Sequence, residues 1–187
     1  MKPSTFALRQ AARTLRGGGI IAYPTEAVYG LGCDPRNEEA VFRLLMLKQR
    51  PMHKGLILIA ADLAQLLPYI KEPPPSRKRW LEESWPGPVT WVMPARADTP
   101  FWLRGGRTTL AVRVTAHPVA AALCHAFGGA IVSTSANPTG RQPARTPLAV
   151  RRYFDGRLET IIHGKTGPLR NPTEIRNLTD GRILRSA

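Results

Sequence analysis

Strand-like and helix-like segments are mixed without a fixed period along this chain, which predicts an α/β (α+β) domain built on a mixed β-sheet. Three observations carry that expectation. Short apolar runs of strand length are interleaved with segments whose apolar residues recur at helical spacing. No βα unit repeats, which argues against a doubly wound Rossmann arrangement. Hydrophobic residues make up 43% of 187 residues, enough for one packed core, and neither a low-complexity linker nor an internal repeat divides the chain. A single domain over residues 1–187 is therefore expected.

The elements follow in chain order. Phe6, Leu8, Ala11, Ala12 and Leu15 lie at helical spacing, with Ser4 or Thr5 as the cap and Gly17 to Gly19 as the stop. Residues 20–23 read as a short apolar strand and residues 24–34 as a loop containing Gly and Thr. Asn37 can cap a second helix, whose apolar Val41, Leu44, Leu45 and Leu47 put Lys48 at or near its C-terminal end. Residues 55–60 predict a buried strand and 62–70 a short helix. Pro73 to Pro75 break the chain before a helix over 76–84. Strands are expected at 88–94 and 109–114, a helix at 117–127, a strand at 130–134 and a loop over 135–147. The tail predicts a helix near 148–154 and short strands near 160–162, 174–178 and 183–185.

Lys and Arg number 27 against 13 Asp and Glu, a net charge of +14. A surplus of this size points to an anionic partner such as a nucleotide, tRNA or an acidic protein. The plainer alternative is an evenly arginine-rich surface. Cys33 and Cys124 are too few for a disulfide framework and fit a reducing compartment. The N-terminal segment carries Arg9, Arg13 and Arg16 on an amphipathic pattern and lacks the apolar core and cleavage signature of a secretory signal. No apolar run approaches the ~20 residues a membrane span needs. A cytoplasmic protein with no membrane association is expected.

Several common motifs are missing. Gly164-Lys165-Thr166 ends like a phosphate-binding loop, but the first glycine of that motif would fall at Glu159. Gly30-Leu31-Gly32 completes no dinucleotide fingerprint. His53, His117, His125 and His163 lack metal-site spacing, so no metal site is expected.

Three segments place polar groups at strand or helix ends. Tyr23-Pro24-Thr25-Glu26-Ala27-Val28-Tyr29-Gly30-Leu31-Gly32 follows a buried strand, where α/β folds often put ligands, although an ordinary Pro-Thr turn with a satisfied Glu26 would look the same. No acidic residue lies between Glu39 and Asp62, so Arg43, Lys48, Arg50 and Lys54 lack local partners. A lysine point charge beside an arginine fork suits phosphate or carboxylate, and equally a helix C-terminus. Lys48 and Arg50 are expected to end in solvent or ligand. Last, Ser133-Thr134-Ser135-Ala136-Asn137-Pro138-Thr139-Gly140-Arg141 turns a buried strand into hydroxyls and an amide that suit phosphate or ribose, or simply cap a turn.

In this order the segments resemble the YrdC family. Lys48-Gln49-Arg50-Pro51, Pro86-Gly87-Pro88-Val89-Thr90, Ala111-Val112-Arg113-Val114, His117-Pro118 and Ser133-Thr134-Ser135-Ala136-Asn137 all match, and the likeness runs from about Gly18 to the end of the sequence. The length, and the tail Asn171-Pro172-Thr173-Glu174-Ile175-Arg176, resemble the short bacterial TsaC branch. The resemblance implies a twisted mixed sheet flanked by helices, with a basic concave face. It implies a nucleotidyltransferase that converts L-threonine, bicarbonate and ATP to threonylcarbamoyl-AMP and pyrophosphate, for modification of tRNA beside the anticodon by a downstream threonylcarbamoyl-transfer complex. It implies Lys48 and Arg50 as catalytic residues. Thr25, Arg113 and Thr173 would bind threonine. Lys48, Arg50, Thr90, Ser133, Ser135, Asn137, Arg141 and Arg185 would bind ATP, with Mg²⁺ carried by the triphosphate.

The cations suit that chemistry. A carbamate on the threonine amine is an anion approaching a polyanion, a repulsion of about 4 kcal/mol per charge pair at contact in a partly buried site, and Lys48 and Arg50 can offset it. Two other readings compete. Direct tRNA or double-stranded RNA binding would use the same basic face, but aromatics are only 7% and few can stack on bases. A carbamoyl-transfer domain of the hydrogenase-maturation type would sit inside a longer multidomain chain.

Overall fold

Local signals set most element boundaries in the computed structural model, which describes residues 4–187. Met1 to Pro3, the start of the N-terminal segment read above, lie outside the described residues. Helix α1 (Thr5–Arg16) begins where the Ser4 hydroxyl accepts from the Ala7 amide at 3.2 Å, and it stops at Gly17. Helix α2 (Glu38–Lys48) begins where Asn37 accepts from the Ala40 amide at 2.9 Å, with Glu38 and Glu39 on the positive end of its dipole. The other helices are α3 (Pro75–Ser84), α4 (Phe101–Arg104), α5 (Pro118–Phe127) and α6 (Pro147–Phe154).

Nine strands form one mixed sheet among the described residues. They are β1 (Ile21–Pro24), β2 (Tyr29–Gly32), β3 (Ile57–Ala60), β4 (Val89–Pro94), β5 (Thr109–Val114), β6 (Ile131–Ser135), β7 (Thr160–Ile161), β8 (Glu174–Asn177) and β9 (Ile183–Arg185). Their order is β7-β1-β2-β6-β3-β5-β4-β8-β9. The pairs β1–β7, β3–β5 and β4–β8 are parallel and the rest antiparallel, so the expected mixed sheet is present and the Rossmann arrangement is not.

Two expectations need correction. Residues 24–34 are not all loop, because β2 pairs with both β1 and β6. Its Tyr-Gly-Leu-Gly pattern hides a strand: glycine depresses strand propensity, and the pairing comes from partners distant in sequence. Residues 62–70 form successive turns rather than a helix. Pro68 supplies no amide there, and the Leu66 and Tyr69 amides close short turns onto the Leu63 and Leu66 carbonyls, each at 2.9 Å. Helix α4, a single turn, was also not anticipated.

Strand alternation divides the core into two layers. Leu31, Leu58, Ala60, Trp91, Met93, Leu110, Val112 and Val132 face one side with Val41 and Leu44 of α2 and Val150 and Phe154 of α6. On the other side Ile21, Tyr23, Ile59 and Ile131 pack with Ala11 and Leu15 of α1 and Val119, Ala120 and Leu123 of α5. That second helix layer reaches only β1, β6 and β3. Beyond it, the same face carries Thr90, Arg113 and Ser133.

Glycine is required where β2 passes closest to its neighbours. A Cβ on Gly32 would stand 2.6 Å from the Val132 carbonyl oxygen and 2.9 Å from the Tyr23 ring. Gly32→Ala is expected to lower unfolding free energy by about 1–3 kcal/mol, the usual scale for overpacking. Urea denaturation measures it, and wild-type stability in the variant would show that the sheet gives way there freely.

Candidate active site

A cleft opens on the half of the sheet face that α1 and α5 leave uncovered. It holds about 720 Å³ of space, counting its open mouth, and its walls include Thr25, Arg50, Arg113, Ser133, Ser135, Thr173 and Arg185. Seven residues named from the sequence therefore meet in one place. Each arrives by a separate local device. Thr25 directly follows β1, where its hydroxyl donates to the Val28 carbonyl at 2.7 Å and closes the turn into β2. Ser133 and Ser135 lie one alternation apart on β6 and face the same way.

Helix α2 ends in a Schellman motif. Gln49 takes the left-handed conformation at φ 52°, its amide donates to Met46, and the Arg50 amide donates to Leu45, each at 2.9 Å. This reversal separates the two cations that flank it. Arg50 turns toward the cleft and is held by the Gly55 carbonyl, with Nη2 at 2.9 Å. Lys48 turns inward and is only 3% exposed. Its Nζ donates to the carbonyls of Ser135 and, at 2.7 Å, Asn137. Its own carbonyl accepts from the Thr139 amide and hydroxyl at 2.9 and 3.0 Å. The expectation that Lys48 ends in solvent or ligand is thus corrected: an ammonium with no carboxylate nearby finds its acceptors in the backbone of the hydroxyl loop. Burial, and then the Arg50 charge, pull its pKa down to about 8.

Arg113, 5% exposed, crosses the floor from β5. Its Nη1 donates to the hydroxyls of Thr173 at 2.7 Å and Thr90 at 3.3 Å, and its Nη2 to Glu26 at 3.2 Å. Its Nε is buried without a partner. Thr90 is fully buried behind Arg113 and outside the cleft wall. Arg185 reaches back from β9 to the Thr173 carbonyl at 2.6 Å. Partial burial, then the charges of Arg113 and Arg50, lower the Arg185 pKa. These arginines therefore share one field. Asn137 and Arg141 lie outside the cleft wall. The Asn137 amide donates to the carbonyls of Pro138 and Arg141 at 3.0 and 2.6 Å, leaving its Oδ1 buried and unpartnered, and Arg141 is exposed.

Glu26 is the residue whose place the sequence understated. It is 7% exposed, and both of its oxygens are engaged: Oε1 accepts from the Thr115 hydroxyl at 2.6 Å and the Ala116 amide at 3.2 Å, while Oε2 faces Arg113. Burial alone would raise its pKa; the Arg113 charge and the Thr115 hydrogen bond outweigh that and hold it below the ordinary value. Glu26 is the sole carboxylate in the first 33 residues, a signal that was available. The segment 163–173 was missed as a unit. The Tyr29 hydroxyl donates to the Gly164 carbonyl at 2.6 Å, Gly167 donates to the Thr25 carbonyl at 2.9 Å, Leu169 to the Glu26 carbonyl at 3.2 Å, and His117 Nε2 to the Lys165 carbonyl at 3.2 Å. A Cβ on Gly167 would stand 2.5 Å from the Glu26 carbonyl oxygen, so only glycine lets this strap lie so close.

A basic cleft with hydroxyl walls and no free carboxylate suits a ligand with several anionic oxygens. A second groove continues from it over the uncovered sheet face. It shares Arg50 and Arg185 and adds Lys54, Arg104, Arg107 and Arg182, with no acidic residue in its wall. Among the described residues no group of three or more His, Cys, Asp or Glu side chains could hold a metal ion, and no helix is long and apolar enough to cross a membrane.

Comparison with known proteins fits this geometry. The Sua5/YciO/YrdC family model, described as "Telomere recombination", matches residues 13–187. The threonylcarbamoyl-AMP synthase of Halorhodospira halophila is 59% identical over 180 residues, 96% of this chain and 94% of that one. A crystal structure of P. abyssi Sua5 complexed with L-threonine is 35% identical with a TM-score of 0.89, covering 95% of this chain and 53% of the longer one. The crystal structure of E. coli YciO is 29% identical with a TM-score of 0.88, covering 99% and 91%. With its fold, its length and its ordered motifs all shared, the chain belongs to the Sua5/YciO/YrdC family.

Proposed function

We propose that this protein makes threonylcarbamoyl-AMP, with pyrophosphate and water, from L-threonine, bicarbonate and ATP, supplying the group that modifies tRNA next to the anticodon. The observation that carries this reading is the convergence of Arg50, Arg113 and Arg185 with the hydroxyls of Thr25, Ser133 and Ser135 in one cleft without a free carboxylate. Relatives sharing more than half of its residues over nearly the full length are named threonylcarbamoyl-AMP synthase.

The nucleophile is the carbamate formed on the threonine amine, and it attacks the α-phosphate of ATP. Two anions must meet, so the rate depends on cations already in place. Arg113 holds the threonine carboxylate, with Thr25 and Thr173 beside it. Arg50 and Arg185 take the phosphates, and Ser133 and Ser135 donate to phosphate or ribose oxygens. Lys48 acts from behind the wall, fixing the hydroxyl loop through the Ser135 and Asn137 carbonyls while adding its charge. Asn137 and Arg141 serve the nucleotide by shaping that loop, whereas Thr90, buried behind Arg113 and bonded to it at 3.3 Å, supports the threonine end of the cleft. Any Mg²⁺ rides on the triphosphate, since the carboxylate beside the cleft has both oxygens occupied. The product passes to a downstream threonylcarbamoyl-transfer complex in the cytoplasm.

Pyrophosphate release from ATP is expected to need both threonine and bicarbonate; release of similar size with either omitted would count against the carbamate as nucleophile. Arg50→Ala is expected to lower turnover about 10²-fold with a stability change of about 1 kcal/mol or less. Lys48→Met is expected to lower turnover and also cost about 1–3 kcal/mol, because two carbonyls lose their donor. Paired kinetic and denaturation measurements separate the two, and a Lys48→Met variant as stable as wild type would remove the loop-holding role.

The basic groove favours a further use. RNA, either tRNA or a double-stranded segment, lies across Lys54, Arg104, Arg107 and Arg182. Binding is expected to fall with salt at a log–log slope of roughly −0.7 to −0.9 per phosphate neutralised. Filter binding of tRNA at graded salt checks this, and affinity that ignored salt would exclude the groove.

A further inference from the structure

The cations around the cleft are not equivalent. Arg113 has a carboxylate partner at 3.2 Å, whereas Lys48, Arg50 and Arg185 have only carbonyl partners. The carboxylate is Glu26, and it is fully committed. Oε1 is fixed by the Thr115 hydroxyl and the Ala116 amide, just ahead of α5, and Oε2 faces Arg113. The backbone of Glu26 is held as well: its carbonyl accepts from the Leu169 amide at 3.2 Å. Neither oxygen is free to take a proton from a substrate, and Glu26 is not part of the cleft wall.

We infer that Glu26 is a specificity-determining positioning residue: it fixes the Arg113 guanidinium for a single carboxylate and cancels its net charge, so that this end of the cleft does not compete for polyanions. The inference rests on the reading that Arg113 receives the threonine carboxylate. Its physical content is a division of charge within one cavity. Around Arg50 and Arg185 the field is unopposed and suits a triphosphate. Around Arg113 the pair with Glu26 is close to neutral in sum, so a polyanion gains little there beyond hydrogen bonds. A lone carboxylate, needing geometry more than charge, loses little, because the guanidinium edge is already oriented. Without Glu26 the cleft would present three unopposed arginines, and pyrophosphate, a product of the reaction, would bind better than before.

The test compares wild type, Glu26→Gln, Arg113→Met and the double variant, reading threonylcarbamoyl-AMP by chromatography and threonine binding by calorimetry where turnover is lost. Glu26→Gln is expected to raise the threonine KM about 10-fold or more, the scale for losing a charge-assisted hydrogen bond, with the ATP KM within about 2-fold. It is also expected to strengthen inhibition by inorganic pyrophosphate several-fold, which a merely structural lesion would not do. In the Arg113→Met background, adding Glu26→Gln is expected to leave threonine affinity unchanged. Equal rises in both KM values, unchanged pyrophosphate inhibition, or a Glu26→Gln effect that persists without Arg113 would each overturn the inference. If Glu26→Gln alone does not fold, the double variant removes both charges together; a threonine affinity different from that of Arg113→Met then overturns it. A wild-type protein that makes no threonylcarbamoyl-AMP would instead refute the activity itself.

Discussion

A sheet face covered over only half its width is the constraint on which the site depends. Helices α1 and α5 bury Ile21, Ile59 and Ile131, and then the helix layer ends. Strand alternation continues past that edge, so the next side chains on the same face must be polar or be shielded in another way. Thr90, Arg113, Ser133 and Ser135 occupy those places. The opposite face is apolar across its central strands and supplies the larger core. A rigid, well-packed layer thus presents polar groups on its back, which is how strands can hold a site more firmly than loops do.

Burying cations there has a cost, and the structure meets it differently for each. Arg113 is compensated by Glu26 and two threonine hydroxyls. Lys48 has no carboxylate and relies on carbonyl dipoles, while burial and then the Arg50 charge pull its pKa down to about 8. An anionic ligand would relieve that strain in the charge balance. Charges held ready in advance of the ligand in this way are what electrostatic stabilisation of a transition state requires.

The strap over residues 163–173 ties the two ends of the chain to this arrangement. It is bonded to Thr25, Glu26, Tyr29 and His117, and it leads through Thr173 into β8 and β9, from which Arg185 returns to the cleft. The turn after β1, the end of β5 and the C-terminal hairpin are held by one set of hydrogen bonds. Substituting any one of them would be felt at the others, since removing one partner leaves its buried mate unsatisfied.

Periodicity and caps in the sequence determined α1, α2, α3, α5, α6 and most strands, because those signals act over a few residues: Ser4 and Asn37 cap as read, and the run from Thr109 to Val114 is a strand. The ordered motifs also determined the family, and they named seven residues that share the cleft. What they could not determine was depth and partnership. The sequence makes Lys48 and Arg50 neighbours; the left-handed turn at Gln49 sends one into the core and the other to the cleft. It makes Glu26 a turn residue; only the approach of β5, 87 positions away, makes it the partner of Arg113. It hides β2, whose glycines become a strand through pairing with β1 and β6. Each of these depends on contacts between distant segments, whose free energy no local window contains, so tertiary structure alone decided them.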